Sequence, residues 1–224
     1  MERTQVSVGR RELDLEIYPP PGNDRAPGVL ILHEMYGLKD WYRKDAEEIA
    51  SRGYLVYLPD LFSGAPIQYC VRAIVTAAGR ENRADGPLNG EIHRLLDALA
   101  GDRRCNGRLG MLGMCLTGGF VIQMAKREDM RAPVLYHHSL GVQGGGLPES
   151  ESTDGIRLVQ AHFARRDPFC PRSRRRRLAE RLGDRLEAYE YDMGHGFRSV
   201  SRKQPEAPLA WERTLHFFDR QLKA

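Results

Sequence analysis

Gly110-Met111-Leu112-Gly113-Met114-Cys115-Leu116-Thr117-Gly118-Gly119-Phe120 changes character at its cysteine. Before it, an apolar run that begins near Leu109 has the continuous hydrophobicity of a strand buried on both faces. After it, Phe120-Val121-Ile122-Gln123-Met124-Ala125 continues as a helix. Strand, sharp turn and helix, with Gly113 and Gly118-Gly119 bracketing Cys115, form the layout of a nucleophile elbow. In such a turn strand and helix approach so closely that the residues two before and two or three after the central side chain must be small, a condition Gly113, Thr117 and Gly118 meet. A thiol placed there stands at the carboxyl end of a parallel strand, beside a helix N-terminus that favours a thiolate. The amide that follows it is aimed where an oxyanion would form. A free cysteine is otherwise most often a small buried hydrophobe, and the glycine bracket sets Cys115 apart from that group.

Outward from the elbow the chain alternates strands and helices. Val6-Ser7-Val8 and Leu13-Asp14-Leu15-Glu16-Ile17-Tyr18 alternate around Gly9-Arg10-Arg11 and read as an antiparallel hairpin at the sheet edge, stopped by Pro19-Pro20-Pro21. Val29-Leu30-Ile31-Leu32 is a buried parallel strand that ends in His33-Glu34-Met35-Tyr36-Gly37-Leu38. Helical spacing over 41–52, capped by Gly53, leads to the strand Tyr54-Leu55-Val56-Tyr57-Leu58. The pattern predicts a helix over 69–79, a loop over 80–90, and a helix over 91–99 with Ile92, Leu95, Leu96 and Leu99 on one side. Downstream, strands are predicted at 132–138, 156–163 and 186–191. A closing helix over 208–221 turns Leu209, Leu215, Phe218 and Leu222 to the sheet. The expected architecture is α/β: a mostly parallel, doubly wound sheet of about eight strands. It spans 1–224 as one domain, with no insertion large enough for a cap domain.

A chain of 224 residues suffices for one α/β domain with a full core. Lys and Arg total 34 against 30 Asp and Glu, a net charge of +4, and the two signs are interspersed except at 172–177. That basic run precedes Leu178 and Leu182 at helical spacing and reads as a solvated helix face. Without aromatic interleaving it argues against nucleic-acid binding. There is no apolar run of about 18 residues, and Met1-Glu2-Arg3-Thr4 lacks the pattern of a signal peptide, so no membrane association and a cytoplasmic location are expected. Cys70, Cys105, Cys115 and Cys170 show no CxxC pairing and read as reduced thiols. His33-Glu34 lacks the second histidine of a metalloprotease helix and His137-His138 lacks a third ligand, so neither metal nor cofactor is expected.

A thiol nucleophile needs a base and a group to orient it. Asp167 and then His195 each follow a predicted strand, downstream of Cys115, in the order nucleophile, acid, histidine. Taken singly, His195 between two glycines suits a turn and Asp167-Pro168 suits a helix start. Together, in that order, they suit a catalytic triad in which the aspartate fixes the histidine tautomer and the histidine handles the thiol proton.

These motifs resemble the dienelactone hydrolase family (carboxymethylenebutenolidases) of the α/β-hydrolase fold. The resemblance rests on His33-Glu34-Met35-Tyr36-Gly37-Leu38, Gly113-Met114-Cys115-Leu116-Thr117-Gly118-Gly119, Asp167-Pro168-Phe169-Cys170-Pro171 and Gly194-His195-Gly196-Phe197, and runs from about Leu13 to the C-terminus. It implies Cys115 as nucleophile, His195 as base, Asp167 as its orienting acid, and the amides of Leu116 and Met35 as the oxyanion hole. Glu34 would contact the thiol at rest and help generate the thiolate when substrate arrives, which protects the sulfur from oxidation. The family's type substrate is a small lactone bearing a carboxylate held by arginines. Arg198, and Arg83 or Arg80, are the candidates for that role, with Tyr36 and His138 lining the pocket. Two positions depart from the family pattern: Ser199 stands where an arginine is usual, and Thr117 where type members have glycine. The expected function is cofactor-independent hydrolysis of a small lactone or ester through a Cys115 thioester, by a monomer or homodimer. A general carboxylesterase or thioesterase on the same scaffold, and a non-catalytic thiol sensor, are the rival readings.

Overall fold

The computed structural model describes residues 1–62, 87–138, 152–198 and 206–224, and their strands join in one eight-stranded sheet ordered β1-β2-β4-β3-β5-β6-β7-β8. β1 (Glu2–Ser7) and β2 (Glu12–Tyr18) form the edge hairpin, and β2 pairs antiparallel with β4 (Leu55–Pro59). From there β3 (Ala26–Leu32), β5 (Cys105–Met114), β6 (Met130–Tyr136), β7 (Val159–Arg166) and β8 (Leu186–Gly194) run parallel. Apolar side chains on both faces of the central strands demand a helical layer on each side. Leu30, Leu32 and Met111 pack with α2 (Pro87–Gly101), α3 (Gly118–Met124) and α4 (Arg172–Leu182) through Leu95, Leu96, Val121 and Leu178. Val29, Ile31 and Leu112 pack on the other face with α1 (Asp40–Ser51) and α5 (Glu206–Leu222) through Tyr42, Ile49, Leu215 and Phe218. The alternation of Val29 and Ile31 to one face, Leu30 and Leu32 to the other, is what makes the sheet doubly wound. Among the described residues no cap domain forms, and no helix is long and apolar enough to cross a membrane.

Several boundaries differ from the sequence expectation. α2 begins at Pro87, so 87–90 is helical where a loop was expected; proline suits a first helical turn because its missing N–H has no helical partner there. β7 starts and ends later than predicted, and β8 starts at the predicted Leu186 but ends later, which carries the sheet to the very residues that precede Asp167 and His195. In α5 the buried stripe is Ala207, Ala210, Trp211, Leu215 and Phe218, and Leu209 is 43% exposed on the far side. The helix expected over 69–79, with Cys70, Arg80 and Arg83, lies outside the described residues. Cys105, Cys115 and Cys170 are free thiols, as expected.

The basic helix α4 is not wholly a solvated face. Arg175 is buried, its Nε donating to Glu190 (3.0 Å) and its Nη1 to the carbonyls of Ala164 (3.0 Å) and Cys170 (2.8 Å). One guanidinium therefore ties α4, the end of β7 and the loop that follows it. Arg175→Ala is expected to cost about 3 kcal/mol in urea unfolding, since it leaves buried acceptors unpaired. Arg176→Ala, on the open face of the same helix, is expected to leave the midpoint unchanged.

Candidate active site

The end of β5 sets the first feature. Cys115 has φ 54°, a left-handed conformation that costs an L-residue roughly 1–2 kcal/mol and persists only where its surroundings hold it. Its amide donates to the Tyr136 carbonyl of β6 (3.1 Å), and the Thr117 amide closes the turn on the Met114 carbonyl (3.1 Å). A Cβ on Gly113 would sit 2.6 Å from the Thr117 carbonyl oxygen and 2.8 Å from Val121 Cγ2; one on Gly118 would sit 3.1 Å from the Tyr136 carbonyl oxygen. The glycine bracket is thus the condition for α3 to lie on β5. Thr117 is fully buried, and its hydroxyl accepts the Met114 amide (3.0 Å) and reaches the carbonyls of Met114 (2.9 Å) and Leu32 (3.2 Å). Thr117 therefore serves as a tie between the ends of β5 and β3.

Asp167 follows β7 and His195 follows β8, and the fold brings both to Cys115. The Asp167 side chain has no solvent exposure. One oxygen accepts the amides of Phe169 (2.8 Å) and Cys170 (3.1 Å), and the other accepts His195 Nδ1–H (2.7 Å). His195 in turn hydrogen-bonds the Cys115 thiol. Burial pulls the imidazole toward the neutral form. The bonds to Asp167 and Cys115, with their charges, outweigh that and push its pKa up to about 9. The ring is packed by Phe169 (5.0 Å) and His137 (4.7 Å).

The turn after β3 completes the group. His33 is fully buried beneath it, donating from Nδ1 to the Glu34 carbonyl (2.9 Å) and accepting the Leu61 amide at Nε2 (3.0 Å). Glu34 is 1% exposed, and its amide donates to the Tyr42 hydroxyl (3.0 Å). Burial, then the Glu34 carboxylate and more weakly Cys115, hold the Tyr42 phenol well above its ordinary pKa, so the glutamate and the thiol act on one phenol. Met35 packs against Cys115 and Leu116. Among the described residues neither the Met35 nor the Leu116 amide donates a hydrogen bond within the protein, which leaves both free to meet an oxyanion.

The expected substrate-binding residues are scattered. Tyr36 is 48% exposed. His138 is buried with its Nδ1 3.8 Å from Cys170 Sγ, and burial, helped by Arg174, lowers its pKa to about 4. Arg83 falls outside the described residues. Arg198 does not extend into the group around Cys115: it is buried, donates to Asp45 on α1 (2.7 Å) and stacks over Trp211 (4.3 Å). The carboxylate it holds is the protein's own. Tyr42, not singled out from sequence, belongs to the site, and so does His137, which the sequence presents with His138 at the end of a strand. Tyr42 falls within the helical spacing of 41–52 and carries no further signal there.

The chain matches the family model described as "Dienelactone hydrolase family" over residues 14–222. It is 27% identical over 208 residues to carboxymethylenebutenolidase 1 of Cupriavidus pinatubonensis, covering 87% of this chain and 86% of that one. It is 26% identical over 208 residues to a carboxymethylenebutenolidase of Rhodococcus opacus, covering 87% and 81%. The solved structure described as m3DLH superposes with a TM-score of 0.78 at 20% identity, covering 99% of this chain and 98% of that one, and so shares the fold.

Two outcomes follow from this geometry. His195 holds its proton more tightly folded than unfolded, so its contribution to stability is complete below about pH 6.5 and lost as pH rises through about 9. Urea unfolding from pH 6 to 10 should show that loss in the wild type and a shallower one in His195→Gln. Arg198→Met strands Asp45 in the interior and should cost about 3–5 kcal/mol in the same assay. In kinetics at low temperature it should leave the preference between anionic and neutral esters unchanged.

Proposed function

The chain belongs to the dienelactone hydrolase family, and from that membership we propose that it hydrolyses a small lactone or ester through a covalent thioester on Cys115. The observation that carries this reading is the continuous line of hydrogen bonds from Asp167 through His195 to Cys115, which ends at a thiol on a strained turn. Asp167 holds Nδ1–H of His195, leaving Nε2 to take the thiol proton. The thiolate attacks the carbonyl carbon, the C–S bond forms, and the oxyanion is received by the amides of Met35 and Leu116. As the tetrahedral intermediate collapses the C–O ester bond breaks, and His195 returns its proton to the leaving alkoxide. Water then attacks the thioester, giving a proton to His195, and the C–S bond breaks to release the acid and the thiolate.

Glu34 has the position for a second role. Its buried carboxylate and the thiol both act on Tyr42, so a negative charge stands in the neighbourhood of the sulfur and opposes the thiolate until substrate arrives. The commitment of Arg198 to Asp45 favours a broader reading of the substrate, in which neutral esters are accepted as well as carboxylate-bearing lactones.

Turnover of a carboxylate-bearing dienelactone and of a neutral activated ester tests both points. Wild type should hydrolyse at least one of them. Cys115→Ala should lose activity by about 10⁴-fold or more, and an acid-quenched reaction should show the acyl group on the Cys115 peptide. Wild-type rates in Cys115→Ala would overturn the reading.

A further inference from the structure

One histidine at the site has no part in that relay. His137 follows β6 with φ 30° and no solvent exposure, its amide donating to the His162 carbonyl of β7 (2.7 Å). Among the described residues neither of its ring nitrogens has a hydrogen-bond partner. Its ring lies edge-to-face against His195, with centroids 4.7 Å apart and planes at 72°. Among the described residues two further rings lie against it, Phe197 at 5.7 Å and Tyr136 at 6.3 Å. A phenylalanine would make the same ring contacts without burying a donor and an acceptor that no described residue meets. An imidazole there is therefore a cost to the fold, and the place to look for its return is the ring it touches.

The titratable groups that face His137 are His195 across the contact, His138 next in the chain and His162 on β7; beyond His195 stand Asp167 and Cys115. Burial first, then the three neighbouring histidines, holds His137 far below the ordinary histidine range, so it stays neutral. A neutral imidazole carries a proton on one nitrogen and a lone pair on the other, and in proteins a hydrogen bond normally decides which. With none made among the described residues, the charge of the neighbouring ring decides. A cationic His195 draws the lone pair of His137 toward itself, and a neutral one does not.

We propose, resting on the reading of Cys115 and His195 as the reacting pair, that His137 is a positioning residue: an unpinned neutral imidazole whose tautomer follows the charge of His195 and so steadies the imidazolium beside the thiolate. Its action passes through His195 and needs no contact with substrate.

Nitrogen-15 NMR of histidine-labelled wild-type protein between pH 6 and 10 reads this directly. His137 should remain neutral throughout while its two nitrogen shifts change together, in opposite senses, at the midpoint of His195. His137→Phe should fold with an unchanged or raised Tm, yet bind the His195 proton about 3–10-fold more weakly, moving the limb of the kcat/KM profile that reports His195 by about half to one pH unit. Nitrogen shifts that stay flat through the His195 titration would overturn the proposal. So would a folded His137→Phe whose His195 midpoint and pH profile match wild type, which would leave His137 a packing residue. Should the phenylalanine variant fail to fold, the wild-type spectra decide alone. The spectra do not depend on turnover, so an inert wild type with coupled shifts sinks the hydrolase reading only, and active wild type with flat shifts sinks this inference only.

Discussion

The helix α3 lies so close to β5 that a single methyl group at Gly113 would overlap the Thr117 carbonyl, and much else at the site depends on that contact. The approach forces the chain to turn within one residue, which puts Cys115 in the left-handed region and lifts its side chain above the sheet. A strained turn needs rigid neighbours on both sides. β6 supplies one through the Tyr136 carbonyl, and β3 the other through the Thr117 hydroxyl. An elbow of this kind is therefore sustained in the middle of a parallel sheet, where the strands on either side end on the same face and deliver the residues that surround it.

The electrostatics follow from how completely each group is occupied. Asp167 spends one oxygen on two backbone amides and the other on His195, so it orients the ring while its own position is set by the loop it begins. Arg175 holds the same loop from below through the Cys170 carbonyl. His195 gains its affinity for a proton from these fixed partners against the pull of burial. The turn at Glu34 is built on the same plan, with His33 locked into one tautomer by a carbonyl and an amide. His33 and His137 are equally buried histidines with opposite fates: among the described residues one has both nitrogens satisfied, the other neither.

What could be read from sequence was whatever local chemistry dictates. Gly113 and Gly118 around Cys115, the apolar runs of β3 and β5, and the positions of Asp167 and His195 after strands all carry their meaning within a few residues. The structure brings those residues together. What could not be read depends on partners far along the chain. Arg198 stands three residues past His195 and reads as a clamp for substrate, yet its charge is taken up by Asp45, on a helix that the sequence presents long before it. Arg175 sits in a run of like residues, and only the carbonyls beneath it distinguish it from Arg176. Leu209 has the right chemistry for the core and the wrong phase, because the stripe on α5 is set by Trp211, Leu215 and Phe218. Thr117 read as a small residue tolerated in a tight place, and its hydroxyl turned out to have three neighbours in hydrogen-bonding range.

That hydroxyl has a geometric consequence. The two amides assigned to the oxyanion in the proposed mechanism lie beyond different strands, Met35 after β3 and Leu116 after β5, past the point where the ladder between those strands stops. Thr117 bridges those two strand ends with a single oxygen, so it acts as a gauge block between the jaws of a caliper. Beyond the last pair of the β3–β5 ladder, Leu32 with Gly113, that one side chain carries the fixed spacing of the two strand ends one step further.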